Sequence, residues 1–242
     1  MDRRAFLGGT AATLGAVVLD SALSLNTVYA NEPMAGGGPL APPTGRKINV
    51  AFLIAEGANV IDLAGAWEVF QDVHVPGRGD SMDEIMPFRL YTVAATKAPI
   101  TATGGLRIVP NYSFEDAPPP DLISVGAQRG SEAAWAWLAA TAPTTDVTMS
   151  VCTGAFQLAR AGLLDGLTAT THHDFYDDFA KSFPEVQVAR GLRYVEHEKI
   201  ATAGGLTSGI DLALRTVERY FGRDVAQATA DYMEYQSTRW QA

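Results

Sequence analysis

The chain has 242 residues, a formal net charge of −9 at pH 7 and one cysteine. Because the acidic balance comes without a basic patch, the composition argues against nucleic-acid binding. A single cysteine excludes an intramolecular disulfide, and the sequence contains neither a zinc-type Cys/His spacing nor a nucleotide-binding glycine motif. We therefore expect no metal and no cofactor.

The amino-terminal residues have the features of an export signal. The pair Arg3-Arg4 precedes an apolar stretch and a small-residue cleavage signal that ends at Ala30. An uncleaved membrane anchor is the alternative, but Asp20 and several Gly, Ser and Thr residues interrupt the ~20 predominantly apolar residues that a spanning helix needs. We expect residues 1–30 to be a twin-arginine signal peptide, so that the mature protein is periplasmic or secreted and has no stable membrane insertion.

The composition changes after this signal. Residues 31–46 are dense in Pro and Gly and have no apolar period, which predicts a flexible leader. Residues 47–242 are enough for a single domain that buries roughly 70% of its unfolded surface.

Within this domain, apolar runs typical of strands alternate with amphipathic segments typical of helices. The predicted strands are Lys47–Ile54, Phe88–Val93, Leu106–Val109, Asp121–Val125 and Val147–Val151. The predicted helices are Leu63–Val73, Glu132–Ala140, a segment from Thr153 to about Leu164, Ile210–Phe221 and Asp231–Tyr235. This alternation predicts an α/β fold with a parallel sheet covered by helices on both faces, in which ligands bind at the carboxyl ends of the strands.

Cys152 lies at such an end, where a predicted strand meets a predicted helix. The free backbone N–H groups and the positive dipole end of that helix favour a thiolate, which predicts a nucleophile with a pKa below that of an ordinary cysteine. The alternative is a buried cysteine that behaves as a small hydrophobe.

Asp62 follows the first predicted strand and opens the next helix, so it belongs to the same edge of the sheet. It is either a helix N-cap or a carboxyl group that exchanges a proton with the thiol. Periodicity alone does not decide between these roles.

Four groups of residues in chain order resemble the ThiJ/PfpI family, whose fold is class I glutamine amidotransferase-like and flavodoxin-like. They are Ile61–Phe70, Ser150–Gly154 with Ala161–Gly166, Ala169–His172 and Thr202–Leu214. The Asp-Leu and Cys-Thr-Gly forms are most similar to the isonitrile hydratase branch and to the sensor domains of certain AraC-type regulators. Few residues follow Tyr235, so we expect no helix-turn-helix pair there.

The resemblance implies that Cys152 is the nucleophile on a strained turn, Asp62 the proton shuttle, and Thr153 a hydroxyl that orients the carboxyl group or a water. Protease-like relatives carry histidine after the nucleophile, and this chain has Thr153, which argues against peptide hydrolysis. His172 and His173 are candidates for a general base or for a wall of the site.

The backbone donors of the site are a second departure from the family pattern. A Pro-Gly-Gly turn is replaced by residues 126–130, and we expect Ala127 and Gln128 to line the substrate or oxyanion pocket. Arg129 either binds a substrate carboxylate or remains solvated.

Together these features imply a cofactor-independent lyase with a small-molecule substrate, which hydrates a small electrophilic carbon to an N-substituted formamide. The alternative is a non-catalytic module that binds a small molecule or senses oxidants through its thiol. Relatives are often dimers, so the resemblance also implies a possible homodimer.

Overall fold

A seven-stranded sheet forms the centre of the protein in a computed structural model that describes residues 36–241. In spatial order the strands are β10 (Tyr194–Glu196), β11 (Ile200–Ala203), β7 (Val147–Val151), β6 (Leu122–Val125), β1 (Ile48–Leu53), β2 (Phe88–Ala94) and β5 (Tyr112–Ser113). All neighbours in this sheet are parallel except β10 and β11. The carboxyl ends of β1, β6, β7 and β11 therefore meet at one edge.

Helices cover both faces of this sheet. They are α1 (Val60–Gln71), α2 (Met82–Ile85), α3 (Glu132–Thr141), α4 (Gly154–Arg160), α5 (Tyr176–Ser182), α6 (Ser208–Phe221) and α7 (Arg223–Tyr232). Buried side chains of α1, α6 and α7 form one core cluster with Phe52 and Met149, and those of α3, α4 and α5 form a second with Ile123 and Val125. The predicted α/β fold is confirmed: it is flavodoxin-like, with a mainly parallel sheet in a single domain.

Short strands lie outside this sheet. β3 (Ile100–Thr101) pairs with β4 (Arg107–Ile108) in antiparallel fashion, and β8 (Thr168–Ala169) pairs with β9 (Gln187–Val188) in parallel. The predicted strand Leu106–Val109 therefore shrinks to β4 and does not join the central sheet.

Two predicted helix ends differ from the structure. The helix after Cys152 ends at Arg160, because Gly162 has a left-handed φ of 73° and turns the chain. The last helix covers Arg223–Tyr232, so most of the predicted helix Asp231–Tyr235 lies beyond its end. A positive φ at Glu234 reverses the chain there.

The segment after α7 is held by a buried carboxylate on α6. Asp211 is fully buried and accepts hydrogen bonds from the hydroxyls of Tyr235 at 3.1 Å and Ser237 at 3.0 Å, and from Arg193 Nε at 2.6 Å. Trp240 is fully buried in the core. The carboxyl-terminal segment is thus an integral part of the domain.

The predicted leader is only partly separate from the domain. The Gly37 amide donates to Glu196, Arg219 Nε donates to the Gly38 carbonyl at 2.8 Å, and the Leu40 amide donates to the Arg219 carbonyl at 2.8 Å. The prediction of a flexible leader is therefore wrong for this part, because buried charged groups on α6 and β10 need its backbone as partners. The predicted signal peptide and residues 31–35 lie outside the described residues.

Within residues 36–241, none of the helices has both the length and the apolarity required to cross a bilayer.

Candidate active site

Cys152 occupies a strained turn between β7 and α4. Its φ is 59°, a left-handed value that is unfavourable for a residue with a Cβ. The turn is fixed on both sides: the Cys152 amide donates to the Gly204 carbonyl at 2.8 Å, and the Thr171 hydroxyl donates to the Cys152 carbonyl at 2.9 Å. A Cβ at Gly154 would lie 2.0 Å from the Val125 carbonyl oxygen, so only glycine lets α4 start this close to β6. The predicted strained turn at Cys152 is present.

Asp62 is buried beside this turn and is not the helix cap. The N-cap of α1 is Asn59, whose side chain accepts from the Ile61 amide at 3.2 Å. Asp62 is 1% exposed, and its Oδ2 accepts a hydrogen bond from the Ala127 amide at 2.9 Å. Its Oδ1 is buried and has no hydrogen-bond partner among the described residues. A buried carboxylate oxygen without a protein partner is available to a substrate or to a transferred proton.

Asp62 and Cys152 shift each other's protonation. Burial raises the pKa of Asp62 to about 6, and hydrogen bonding to the Ala127 amide and the Cys152 thiol opposes this rise. Burial, followed by the charge of Asp62, raises the pKa of Cys152 to about 11, although the amides of Thr153 and Leu206 hydrogen-bond its sulfur. Each shift has desolvation of the charged form as its largest cause.

The resting pair at neutral pH is therefore a neutral thiol beside a carboxylate. The expectation of an acidic thiol is wrong, because a thiol that is 6% exposed and faces a carboxylate loses more by desolvation and repulsion than two amides return. The thiol needs a base, and the Asp62 carboxylate is next to it. Asp62 can therefore take the proton from the Cys152 sulfur and transfer it to a bound substrate.

Thr153 contributes its backbone to the site. Its amide hydrogen-bonds the sulfur of Cys152, whereas its side chain makes no capping hydrogen bond at the start of α4. Asp62 Oδ2 accepts its hydrogen bond from the Ala127 amide and not from Thr153. A role of the Thr153 hydroxyl in orienting a water stays a prediction.

The turn after β6 holds the carboxylate of Asp62 in place. The Ala127 amide is already engaged by Asp62, and the Ala127 carbonyl accepts from the Asn59 amide at 2.8 Å. The Ala127 amide therefore positions the carboxylate, and the place of Ala127 in the substrate or oxyanion pocket stays a prediction. The Gln128 carbonyl accepts from Gln157 Nε2 at 3.2 Å, and Arg129 is exposed at the next position. Gln128 is half-buried in this pinned turn, and its contact with substrate stays a prediction.

His172 forms a wall behind the turn that follows β11. A Cβ at Gly205 would lie 2.3 Å from His172 Cδ2, so the imidazole packs directly on that glycine. His172 Nδ1 accepts from the Asp174 amide at 3.2 Å, and burial together with neighbouring His173 lowers the pKa of His172. The ring is consequently neutral at pH 7. Its placement agrees with the wall role, since its Nδ1 lone pair is occupied.

Ligand atoms of His172, His173 and Asp174 lie within 4.8 Å of one another. The two imidazole rings are stacked, with centroids 4.3 Å apart and planes 25° apart, so their lone pairs lie in nearly parallel planes and do not converge across the stack. Since one of these lone pairs already accepts a hydrogen bond, the group is poorly shaped to chelate a cation.

Two contributors to the site were not predicted. Thr171 binds the carbonyl of the nucleophile, and Leu206 supplies an amide to its sulfur. Leu206 also has a positive φ of 54°, which a sequence pattern does not reveal for a leucine. The motif Thr202–Leu214 was the only available signal for Leu206.

Comparison with known proteins identifies relatives of two kinds. An isonitrile hydratase of Pseudomonas putida is 30% identical over 194 residues, which cover 78% of this chain and 78% of that protein. The HTH-type transcriptional regulator GbdR of Pseudomonas aeruginosa is 29% identical over 208 residues; these cover 83% of this chain but only 54% of the regulator.

Solved structures give the same result for the fold. A ThiJ/PfpI family protein from Pseudomonas syringae has a TM-score of 0.66 at 25% identity, covering 82% of this chain and 83% of that one. DJ-1beta of Drosophila melanogaster shares the fold, with a TM-score of 0.62 at 13% identity over 79% of this chain and all of that one. The DJ-1/PfpI family model matches residues 48–219, which is more than half of the sequence. The chain therefore belongs to the DJ-1/PfpI family.

Proposed function

We propose that the protein is a cofactor-independent cysteine enzyme that hydrates an isonitrile to an N-substituted formamide. The observation that carries this proposal is the buried pair of Cys152 and Asp62. The Ala127 amide binds Asp62 Oδ2, whereas Oδ1 has no hydrogen-bond partner among the described residues. Similarity to an isonitrile hydratase over most of both chains supports the choice of substrate class.

The protonation of the pair suits this reaction. An isonitrile, R–N≡C, needs a nucleophile and a proton at the same terminal carbon. The sulfur of Cys152 forms a bond to that carbon while Asp62 takes the thiol proton and transfers it to the carbon, which gives a thioimidate, Cys–S–CH=N–R. Water then adds to the carbon, the C–S bond breaks, and the nitrogen and sulfur are each left protonated. One isonitrile and one water give one formamide, and both side chains return to their starting states.

The same geometry disfavours hydrolysis by a Cys-His pair. Thr153 follows the nucleophile, and His172 uses its Nδ1 to accept the Asp174 amide. Asp62 is the ionisable side chain that acts on the pKa of Cys152, so it is the base that the site offers.

The test is turnover by the purified protein. With a small alkyl isonitrile, we expect the matching N-alkylformamide to appear by NMR, and we expect Cys152→Ala to abolish it. Glu68→Gln provides a matched control, because Glu68 is exposed on the same helix as Asp62. Formamide production that persists in Cys152→Ala would refute the proposal.

A second candidate function is a non-catalytic module that binds a small molecule. It is favoured by similarity to a transcriptional regulator over 83% of this chain. This candidate predicts saturable binding of an isonitrile or amide to wild-type protein, seen as a thermal shift, without product. The thiol-sensing version is weaker, because oxidants react with the thiolate and the pKa of Cys152 is raised.

A further inference from the structure

Leu206 has features that stability does not explain. Its φ of 54° lies in the left-handed region, which is unfavourable for leucine and accessible to glycine without cost. The residue is 40% exposed, so a large part of its apolar surface faces solvent and is not used in the folded core. A glycine would satisfy the backbone better, and the apolar side chain therefore calls for a role outside the folded core.

Its position indicates that role. The Gly204 carbonyl, two residues earlier, accepts the Cys152 amide at 2.8 Å, and the Leu206 amide hydrogen-bonds the sulfur of Cys152. The leucine side chain is thus attached to a backbone unit in contact with the nucleophile.

A second exposed apolar side chain borders the other half of the pair. Ile61 precedes Asp62 and is 37% exposed. A Cβ at Gly65 would lie 3.9 Å from Ile61 Cδ1 and 3.0 Å from Ile210 Cγ1, so these isoleucines meet at the seam between α1 and α6. Ile210 belongs to α6, which begins two residues after Leu206. The exposed leucine therefore enters this seam from the side of Cys152, and Ile61 enters it from the side of Asp62.

We propose that Leu206 is a specificity-determining residue whose side chain, with Ile61, forms an apolar mouth over Cys152 and Asp62 and selects substrates that carry a hydrocarbon substituent next to the reacting carbon. The inference rests on the proposed function and narrows its substrate class. An isonitrile whose terminal carbon reaches the sulfur has its N-substituent directed outward, against this mouth. A charged substituent there would lose water without gaining a partner from leucine or isoleucine.

Because Cys152 is the only cysteine in the chain, alkylation of the protein reports on this site without any turnover. The experiment compares second-order rates of N-cyclohexylmaleimide and N-methylmaleimide by intact mass, and divides their ratio by the same ratio for N-acetylcysteine. In wild-type protein we expect a normalised ratio of about ten. Leu206→Asn, which is similar in size and tolerates a positive φ, should bring it close to one. Leu206→Met, which restores an apolar side chain, should recover most of the preference.

Met82→Ala is the matched control for loss of an exposed apolar side chain. Met82 is 60% exposed and precedes Asp83, which pairs with Lys47 at the amino end of β1, the opposite edge of the sheet. The control should keep the wild-type ratio. A ratio near one in wild-type protein, or an unchanged ratio in Leu206→Asn, overturns the proposal. So does a ratio that changes only together with the oligomeric state, measured by light scattering, because Leu206 would then be a subunit contact.

The two proposals fail separately. If wild-type protein does not hydrate isonitriles but still prefers the cyclohexyl maleimide, the proposed activity is refuted and the apolar mouth is supported. Hydration without any preference refutes the mouth alone.

Discussion

Replacing Asp62 by Asn should make the thiol more acidic while it removes catalysis. The substitution keeps the size of the side chain, and the amide oxygen can still accept the Ala127 hydrogen bond. It removes the negative charge that is the second-largest cause of the raised pKa of Cys152. Burial, the largest cause, remains, so we expect the apparent pKa for alkylation of Cys152 to fall by about one, from about 11 in the wild type.

The same change should act on turnover in the opposite direction. An asparagine cannot take the thiol proton or return it to carbon, and loss of a general acid–base group typically costs about 10²–10⁴-fold in rate. Thiol reactivity and turnover therefore separate in this variant.

Stability gives a third readout with a definite sign. The pKa of Asp62 rises on folding from 3.8 to about 6, so the folded state binds the proton more tightly than the unfolded state. The wild type thus loses stability as pH rises from about 4 through 6, by about 3 kcal/mol in all. Asp62→Asn lacks this penalty, so its free energy of unfolding should exceed that of the wild type at pH 8, and the gap should shrink at pH 4.

The assays are the pH dependence of iodoacetamide alkylation, isonitrile turnover and urea unfolding at both pH values, with Glu68→Gln as the control. If the alkylation pKa stays at its wild-type value and turnover is within a few-fold of normal, the reasoning about the Asp62–Cys152 pair is refuted.

Three further predictions follow from the site and from the sequence. Wild-type turnover should rise with pH as Asp62 loses its proton, with a midpoint near 6; a profile that is flat between pH 5 and 8 would count against the carboxylate as base. Gly205→Ala should cost ~1–3 kcal/mol of unfolding free energy and reduce turnover, because the new methyl group meets His172, and adding His172→Ala should recover much of the stability. Amino-terminal sequencing of envelope fractions should find a mature protein that starts near Asn31; recovery of only full-length protein from the cytoplasm contradicts export.

The sequence predicted the fold and the two central side chains because they depend on local patterns. Alternation of strands and helices placed Cys152 at a carboxyl end, and the family motif placed Asp62 beside it. The cap alternative for Asp62 was settled only in three dimensions, by Asn59 at the start of α1. The protonation of Cys152 was predicted wrongly, because a helix start is visible in a sequence whereas burial of sulfur next to a carboxylate is not.

The strand β10 and the turn at Leu206 were not predicted, for a similar reason. β10 ends at Glu196, which is 2% exposed and pairs with Arg219 at 3.0 Å and Arg215 at 3.1 Å. A charged residue inside a buried strand interrupts the apolar pattern that identifies strands, and its partners lie on a distant helix. Likewise, the positive φ of Leu206 belongs to the turn between β11 and α6 and does not reflect a preference of leucine.

One guanidinium joins the carboxyl-terminal segment to the turn before α6. Arg193 donates to Asp211, which anchors Tyr235 and Ser237, and it also donates to the Thr207 hydroxyl at 3.3 Å, next to Leu206. Tension on the carboxyl-terminal segment would therefore reach the turn before α6 through Arg193, beside the hydrogen bond from the Tyr194 hydroxyl to the Trp240 carbonyl. A protein fused or tethered at that end would load this joint, and faster amide exchange at Gly209, which donates to the Leu206 carbonyl, would show that the load opens this turn.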